Sequence, residues 1–229
     1  LKKPLIPVNH LEGHIYANFL EHPDIAFPAL CLVVSGGHTS LLYMRSLGEY
    51  ELIGETRDDA AGEAFDKVAR FLGLGYPGGP AIQKAAAQGQ AGKIHLPRVF
   101  LDRQDYEFSF SGLKTATMNE WNKLKRRGTI DVNDLAAEFQ DALVEVLVEK
   151  TIHAANQYQV CSILLAGGVA ANQHLRNLLK IKSQELGLPL YYPRLQLCTD
   201  NAAMIAGNAY ISYVRGDFAP LNINAYPGI

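Results

Sequence analysis

Cysteine is scarce in this sequence, and the three that occur lie far apart. They are Cys31, Cys161 and Cys198, and no two of them form a Cys-x-x-Cys pair. An odd number without paired spacing indicates neither a zinc ribbon nor a disulfide framework. Because Cys31 and Cys161 lie in or next to apolar runs, we expect them to be buried thiols of a protein in a reducing compartment.

Long apolar runs are also missing. The longest uncharged apolar stretch, Cys161–Ala171, contains two glycines, whereas a membrane-spanning helix needs about 20 apolar residues. The first residues, Leu1–Pro4, show neither a methionine nor the apolar core of a signal peptide. The sequence therefore predicts a cytoplasmic location and no membrane partner.

Charge of either sign is modest: charged residues make up 19% of the 229 residues, hydrophobic residues 48%, and the net charge is −2. This composition is typical of one large or two small globular domains with a real core. It argues against a chain that coats nucleic acid through bulk charge. It leaves room for a local basic patch, for which the candidate residues are Lys123, Lys125, Arg126 and Arg127.

Short apolar runs alternate with helical patterns along the chain. Residue spacing predicts strands over 29–34, 39–44, 50–55, 162–166 and 188–192, and helices over 10–20, 60–72, 81–87, 113–126, 131–158, 172–185 and 200–214. Residues 88–105 show no strong element. With glycine pairs at strand ends, this order predicts an α/β protein with turns of the phosphate-binding type.

Two histidines four residues apart, His10 and His14, follow the candidate helix cap Asn9. They share one face of the predicted helix and can ligate one metal ion, although this spacing also arises by chance at surfaces. A zinc protease of the HExxH type needs a glutamate directly after the first histidine. Here Glu12 comes two residues after it, about 200° around the helix, and points away from the pair.

Glycine pairs follow two predicted strands. In Val33–Thr39, the turn Ser35-Gly36-Gly37 could bring backbone N–H groups close to an anion, or could be an ordinary hairpin turn. In Leu165–Asn172, a strand enters Gly167-Gly168 and then a helix, which suits a nucleotide or a plain strand-to-helix turn. Neither segment is a GxGxxG fingerprint or a P-loop. A third turn, Gly75–Pro80, is rigid and allows close backbone approach, or is a loop that merely ends the preceding helix.

Two aspartates are candidate ligands. Asp66, on a predicted helix, could hold a ribose or a metal-bound water, although a helical acid is more often solvated. Thr199 or Asp200 could cap the last helix, which is the plainer interpretation from spacing. Asp200 could instead join His10 and His14, and two histidines with one carboxylate suit iron or a similar divalent metal.

Taken in order, seven segments closely resemble the threonylcarbamoyl transferases of tRNA modification, the TsaD family, long described as O-sialoglycoprotein endopeptidases. The segments are His10–His14, Val34–Thr39, Gly62–Arg70, Tyr76–Pro80, Phe108–Thr115, Gly167–Asn172 and Cys198–Asn201. They extend over nearly the whole chain, so chance agreement is negligible.

The resemblance implies an actin-like ATPase fold (ASKHA, ribonuclease-H-like) with two lobes and the ligand between them. It assigns 1–35 and 199–229 to the remainder of the first lobe. It assigns 36–198 to the second lobe, with a helical insertion around 81–130. Nothing matches the family's N-terminal strand and phosphate loop, so we expect the first lobe to be incomplete by about 100 residues, the size of a small domain.

The resemblance also implies a site. His10, His14 and Asp200 would hold one divalent metal ion, with iron expected and zinc as the alternative. The ligand contacts it implies are the backbone of Val33, Val34, Ser35, Gly36 and Gly37 for the phosphate or carbamoyl part, Asp66 and Gly79 for the ribose, and Asn172 for the adenine end. It assigns no catalytic base.

The implied reaction transfers a threonylcarbamoyl group from threonylcarbamoyl-AMP to the exocyclic amine of the adenosine 3′ of the tRNA anticodon, and AMP leaves. AMP and ATP would be ligand analogues, and the implied partners are tRNA, the paralogous actin-like protein TsaB and the small ATPase TsaE. Three alternatives stay open: a metal-dependent glycoprotease, a non-catalytic actin-like scaffold of the modification complex, and a sugar-kinase-like ATPase.

Overall fold

A mixed five-stranded sheet forms the centre of the computed structural model, which describes residues 3–101, 103–128 and 131–225. The strands are β1 Ala29–Val34, β2 Thr39–Ser46, β3 Glu49–Glu55, β4 Ser162–Ala166 and β5 Leu190–Tyr191. Their spatial order is β3-β2-β1-β4-β5. The pairs β3–β2 and β2–β1 are antiparallel, whereas β1–β4 and β4–β5 are parallel.

The central strand β1 is buried on both faces of the sheet, which is why its sequence is a continuous apolar run. Leu30, Leu32 and Val34 face the larger of two cores. Cys31 and Val33 face the smaller one. The chain therefore packs helices on both sides of the sheet, as an α/β protein does.

Eight α-helices occur among the described residues. They are α1 His10–Tyr16, α2 Ala61–Phe71, α3 Gly78–Ala86, α4 Ser111–Arg127, α5 Val132–Gln157, α6 Gln173–Glu185, α7 Leu195–Cys198 and α8 Ala202–Arg215, with a 3-10 turn at Gly168–Ala171. Helices α2, α5 and α6 contribute to the larger core, α1 contributes to the smaller one, and α8 packs against α1. No helix of the described part combines the length and the apolar character that crossing a bilayer requires.

The predicted strands and helices are confirmed with shifts at their ends, but α7 and the 3-10 turn Gly168–Ala171 were not predicted. Strands 29–34 and 162–166 have their predicted bounds, but α1 ends at Tyr16 instead of continuing to residue 20. Just beyond it, the buried Asn18 side chain donates to the carbonyl oxygens of Ile15 and Leu165, both at 3.3 Å. The second of these bonds reaches β4, so the sequence around α1 could not reveal it.

The expectation that Cys161 is buried is wrong. Its side chain is exposed, whereas Cys31 and Cys198 are buried. Cys161 precedes β4, and its backbone N–H donates to the carbonyl oxygen of Pro28 at 2.7 Å. The residue thus lies at the rim of the sheet, before the buried part of the run begins.

The predicted lobe boundary at 35/36 falls between two paired strands. Strand β1 belongs to the predicted first-lobe segment, and its partners β2 and β4 belong to the second. Residues 1–2 and 226–229 of the predicted first lobe lie outside the described residues. The boundaries at 35/36 and 198/199 stay predictions.

Candidate functional site

Three of the predicted ligands, His10, His14 and Asp200, come together. The Nε2 atoms of His10 and His14 lie 3.1 and 3.3 Å from Oδ1 of Asp200. One donor atom from each residue lies within 4.8 Å of the other two. The sequence placed the two histidines on one helical face, and the fold adds a carboxylate from the far end of the chain.

Helix caps set the positions of these three residues. The Asn9 side chain accepts from the backbone N–H groups of Leu11 and Glu12 at 2.9 and 3.2 Å, so the predicted cap of α1 is confirmed. The last helix is capped by Asn201, whose Oδ1 accepts from the N–H of Met204 at 2.9 Å. The expectation that Thr199 or Asp200 caps that helix is wrong. Because Asn201 has this role, the Asp200 carboxylate is available to the histidines.

The cluster combines a buried histidine with two exposed groups. The side chain of His14 is 4% exposed, against 56% for His10 and 77% for Asp200. Burial, and then the neighbouring His10, lower the pKa of His14, while Asp200 acts in the opposite direction. At neutral pH His14 is therefore in the neutral form that ligates metals. Two imidazoles and a carboxylate at these distances fit a divalent ion such as iron or zinc.

Glu12 takes no part in this cluster. Its carboxylate accepts from Nδ2 of Asn208 at 3.3 Å, on the side of α1 that packs against α8. Burial, and then a hydrogen bond with Glu12, raise the pKa of Tyr50. The direction predicted for Glu12 from the helical spacing is confirmed, and no glutamate belongs to the metal-type cluster among the described residues.

The cluster forms part of the wall of a cleft of about 680 Å³. Six of the predicted ligand-binding residues line this cleft: Ser35, Gly36, Gly37, Asp66, Gly79 and Asn172. The other two, Val33 and Val34, are fully buried within β1 and do not line it. The structure thus joins the predicted metal ligands and most of the predicted nucleotide ligands in one cavity.

The Ser35–His38 turn faces the cleft with its backbone. Oγ of Ser35 accepts from the N–H groups of Gly37 and His38 at 3.3 and 3.0 Å. The N–H of Gly62, at the start of α2, donates to the carbonyl oxygen of Ser35 at 3.2 Å. A helix N-terminus carries partial positive charge. The turn and the start of α2 together therefore offer a favourable position for an anionic group.

Asp66 connects α2 with the loop that begins α3. Its Oδ1 accepts from the N–H of Gly78 at 2.7 Å. A Cβ at Gly78 would lie 2.4 Å from Cα of Asp66, so only glycine allows this approach. At Gly79, by contrast, an added Cβ would meet open space. Asp66 and Gly79 both line the cleft.

Asn172 caps α6 while lining the cleft. Its Oδ1 accepts from the N–H of Leu175 at 2.9 Å, and its Nδ2 donates to Oε1 of Gln140 at 3.0 Å. Nearby, Oε1 of Gln83 accepts from the N–H of Gln173 at 2.7 Å. Two glutamines, from α5 and α3, thus hold this wall of the cleft in place, and no pattern in the sequence indicated either of them.

Further residues line the cleft without having been assigned a ligand role from the sequence. They are His38, Gly62, Phe65, Tyr76, Pro77, Pro80, Gln83, Gly168, Val169, Ala171 and Thr199. All except Gln83 lie within the seven segments that carried the resemblance. The segments were therefore the usable signal, whereas the orientation of each side chain depends on the folded chain.

Two solved structures share the fold at low sequence identity. Full-length HypF, in its phosphate- and nucleotide-bound form, superimposes with a TM-score of 0.69 at 14% identity, over 94% of this chain and 36% of that protein. Component A of (R)-2-hydroxyglutaryl-CoA dehydratase from Acidaminococcus fermentans gives 0.56 at 16% identity, over 90% and 68%. These likenesses show that the fold is of the actin-like ATPase type.

Sequence comparison gives much closer relatives. A protein from Syntrophomonas wolfei named tRNA N6-adenosine threonylcarbamoyltransferase is 72% identical over 229 residues, which is all of this chain and 68% of that protein. Proteins of the same name from Desulfitobacterium hafniense and Moorella thermoacetica are 53% and 54% identical, and the chain covers 67% of each. The family model for TsaD, tRNA N6-adenosine threonylcarbamoyltransferase, matches residues 1–207. The chain belongs to this family.

Proposed function

We propose that the cleft transfers a threonylcarbamoyl group from threonylcarbamoyl-AMP to the exocyclic amine of the adenosine 3′ of the tRNA anticodon, with release of AMP. The observation that carries this proposal is the union, in one cavity, of the His10–His14–Asp200 cluster and the Ser35–His38 turn. The relatives are named for this transfer, and the cleft offers what its donor requires.

The donor is a mixed anhydride of a carbamic acid and a phosphate, so its reacting end carries negative charge. The partial positive charge at the N-terminus of α2, beside the Ser35–His38 turn, would hold that end. The same partial charge would stabilise negative charge that builds up on the carbonyl oxygen during transfer. The chemistry that a divalent ion supplies at a cluster such as His10, His14 and Asp200 is Lewis-acid polarisation of an oxygen atom.

The acceptor step needs placement more than base strength. The lone pair of the adenosine amine attacks the carbamoyl carbon, the bond from that carbon to the phosphate oxygen breaks, and AMP leaves with the electron pair. The amine nitrogen then loses a proton to solvent. An exocyclic amine of adenine is a weak nucleophile, so holding the two reactants in contact supplies much of the acceleration.

The remaining cleft residues suit the nucleoside part of the donor. The free oxygen of Asp66 can accept from a ribose hydroxyl, and the bare backbone at Gly79 allows a sugar to come close. Asn172 retains one N–H beyond its bonds to Leu175 and Gln140, and this group can donate to a base. We propose Asp66 and Gly79 for the ribose and Asn172 for the adenine end.

Several finer assignments belong to the same proposal. The metal would be iron, with zinc as the alternative, because a site of two histidines and one carboxylate suits either ion. The working complex would contain tRNA, TsaB and TsaE, and would act in the cytoplasm. The backbone of Val33 and Val34 would contribute by holding the Ser35–His38 turn at the end of β1 rather than by lining the cleft.

A glycoprotease function has less support. A metal-dependent protease of the zincin type uses a glutamate beside the metal to activate water. The candidate here is Glu12, and its carboxylate lies against Asn208 on the opposite side of α1. The cluster of His10, His14 and Asp200 favours an enzyme over a non-catalytic scaffold. Without a glutamate beside it, this cluster suits acyl transfer better than peptide hydrolysis.

The proposal is tested with threonylcarbamoyl-AMP labelled in its threonine, tRNA as acceptor, and TsaB and TsaE supplied. We expect labelled tRNA with the unchanged chain, and a loss of about 100-fold or more with His14→Ala or Asp200→Asn, since each removes one of three ligands. His153→Ala, an exposed histidine on α5, serves as the matched control and should retain activity. Full transfer by both ligand variants would refute the assigned site.

A further inference from the structure

Arg176, on α6, is a buried cation that the proposed reaction does not use. Its relative exposure is 7%. Among residues 3–101, 103–128 and 131–225, none of its hydrogen bonds goes to a carboxylate. An arginine keeps its charge in proteins, and a buried charge without an anionic partner is costly unless its donors are well placed. Arg176 must therefore be held by what surrounds it.

The partners of Arg176 come from two separate loops. Nε donates to the carbonyl oxygen of Ala170, in the 3-10 turn between β4 and α6. Nη2 donates to the carbonyl oxygen of Pro193 at 2.9 Å and lies 3.1 Å from Sγ of Cys198. The guanidinium also stacks 4.4 Å from the centre of the Tyr192 ring. One side chain thus binds both loops with donors in a fixed planar geometry.

Each loop contributes to a different part of the cleft. The loop 168–172 contains Ala170, and its neighbours Gly168, Val169, Ala171 and Asn172 line the nucleotide side. The loop 192–200 contains the Pro193 and Cys198 contacts and ends at Asp200, the carboxylate of the metal-type cluster. Apart from Arg176, packing between the short helix α7 and the 3-10 turn joins the two loops.

We propose that Arg176 is a positioning residue that fixes the loop 168–172 against the loop 192–200, so that Asn172 and Asp200 keep the spacing that the donor and the metal ion require. It acts through these two residues and touches neither ligand. The identity of the ligands rests on the proposed function, but the positioning of the two loops does not.

The test compares Arg176→Met and Arg176→Lys with Arg98→Met. Arg98 is a suitable control because, like Arg176, it anchors a distant segment through several hydrogen bonds, in its case to Glu138, Asp141 and Glu145, yet lines no part of the cleft. Both methionine variants remove a guanidinium; that of Arg176 is buried, whereas the side chain of Arg98 is 19% exposed. Calorimetry would measure the dissociation constants of Co²⁺ alone and of adenosine alone for each protein, and the absorption spectrum of bound Co²⁺ would report the ligand geometry.

We expect Arg176→Met to weaken Co²⁺ binding and adenosine binding, each by about 10-fold or more, and to change the Co²⁺ spectrum. Arg176→Lys should restore only part of both affinities, since one ammonium cannot span the separate acceptors. Arg98→Met should leave both affinities unchanged even where it lowers the unfolding temperature. Loss of only one affinity, or of neither, would overturn the inference.

Hydrogen exchange separates this inference from the proposed function. In Arg176→Met, amide exchange should accelerate in both loops, 168–172 and 192–200, whereas Arg98→Met should leave both as they are in the unchanged protein. If adenosine fails to bind even the unchanged chain, the proposed nucleotide site falls. Co²⁺ affinity and exchange in the two loops would then still decide whether Arg176 positions them, and unchanged exchange in either loop would refute it.

Discussion

Gly62 is the residue at which α2 approaches the Ser35–His38 turn too closely for any side chain. An added Cβ would lie 2.5 Å from the carbonyl oxygen of Ser35 and 2.9 Å from Cα of Gly36. We therefore expect Gly62→Ala to lower the free energy of unfolding by about 1–3 kcal/mol, because either the helix or the turn must move. It should also weaken adenylate binding, since the displaced turn lines the cleft.

Gly112 provides the matched control for this prediction. Like Gly62 it is the second residue of a helix, but an alanine there would meet its nearest neighbour, a Val99 methyl, at an ordinary 3.4 Å. Gly112→Ala should be neutral or stabilising by up to about 1 kcal/mol, the usual gain of alanine over glycine in a helix. Urea unfolding of both variants is the measurement, and equal stability of the two would contradict the steric explanation.

Individual site residues differed in how far the sequence could predict them. His10 and His14 could be paired from local spacing, because four residues on a helix make one face. Asp200 stayed undecided between helix cap and ligand, since both roles suit an aspartate before a helix. The hydrogen bond from Met204 to Asn201 settles which residue is the cap, and its geometry is visible only in the folded chain.

At the scale of elements, the segment 88–105 is the part that local sequence describes least. The prediction of no strong element there is confirmed for its described residues. Its order comes instead from α5: Arg98 pairs with Glu138, Asp141 and Glu145. From the sequence, acidic residues on a predicted helix are expected to be exposed to solvent. The role of these three as anchors for a distant segment could therefore not be predicted.

Glu138 makes this anchoring sensitive to pH. Burial would raise the pKa of its carboxyl, but hydrogen bonds from Arg98 and from the N–H groups of Gly92 and Leu96 outweigh burial and lower the pKa from 4.5. Below pH 4.5 the unfolded chain takes up this proton before the folded chain does. The stabilisation is therefore complete above pH 4.5 and is lost as the pH falls through the lowered pKa.

We accordingly expect Glu138→Gln to cost about 1.5–3 kcal/mol of unfolding free energy at pH 7. The difference in unfolding free energy between the variant and the unchanged protein should shrink steadily as the pH falls below 4.5. Urea unfolding at pH 7, 4.5 and 3.5 measures it. The exposed Glu185, replaced in the same way, should give a difference near zero at every pH. A Glu138→Gln difference that stays constant with pH would show that the lost contacts matter and the charge does not.

At the scale of the whole molecule, the α/β class and the actin-like fold could be predicted, while the order of strands could not. Continuous apolar runs marked β1 and β4 as buried strands. Neither apolar run indicates that β1 and β4 lie side by side in parallel, because α2, α3, α4 and α5 separate the two strands in the sequence. The cleft depends on this pairing, since the turns after both strands line it.

The distribution of charge over the molecule leads to a prediction about tRNA. The net charge is −2, yet α4 ends in the exposed residues Lys125, Arg126 and Arg127, for which no ion pair occurs among the described residues. Phosphates attract such groups, and each contact adds about 0.7–0.9 to the slope of log affinity against log salt. If this end of α4 binds the tRNA backbone, replacing all three by glutamine should weaken tRNA binding at least about 10-fold and lower that slope by about 2–3. Transfer to saturating tRNA should be unaffected, because these side chains do not line the cleft.

Filter binding at several salt concentrations measures both the tRNA affinity and its salt dependence. An equal slope for the triple variant would exclude this surface. The control variant has the same change of net charge and replaces three exposed basic residues on other elements by glutamine: Arg45, Arg70 and Lys180. If this control lost as much tRNA affinity as the triple variant, the effect would be one of overall charge and not of this surface.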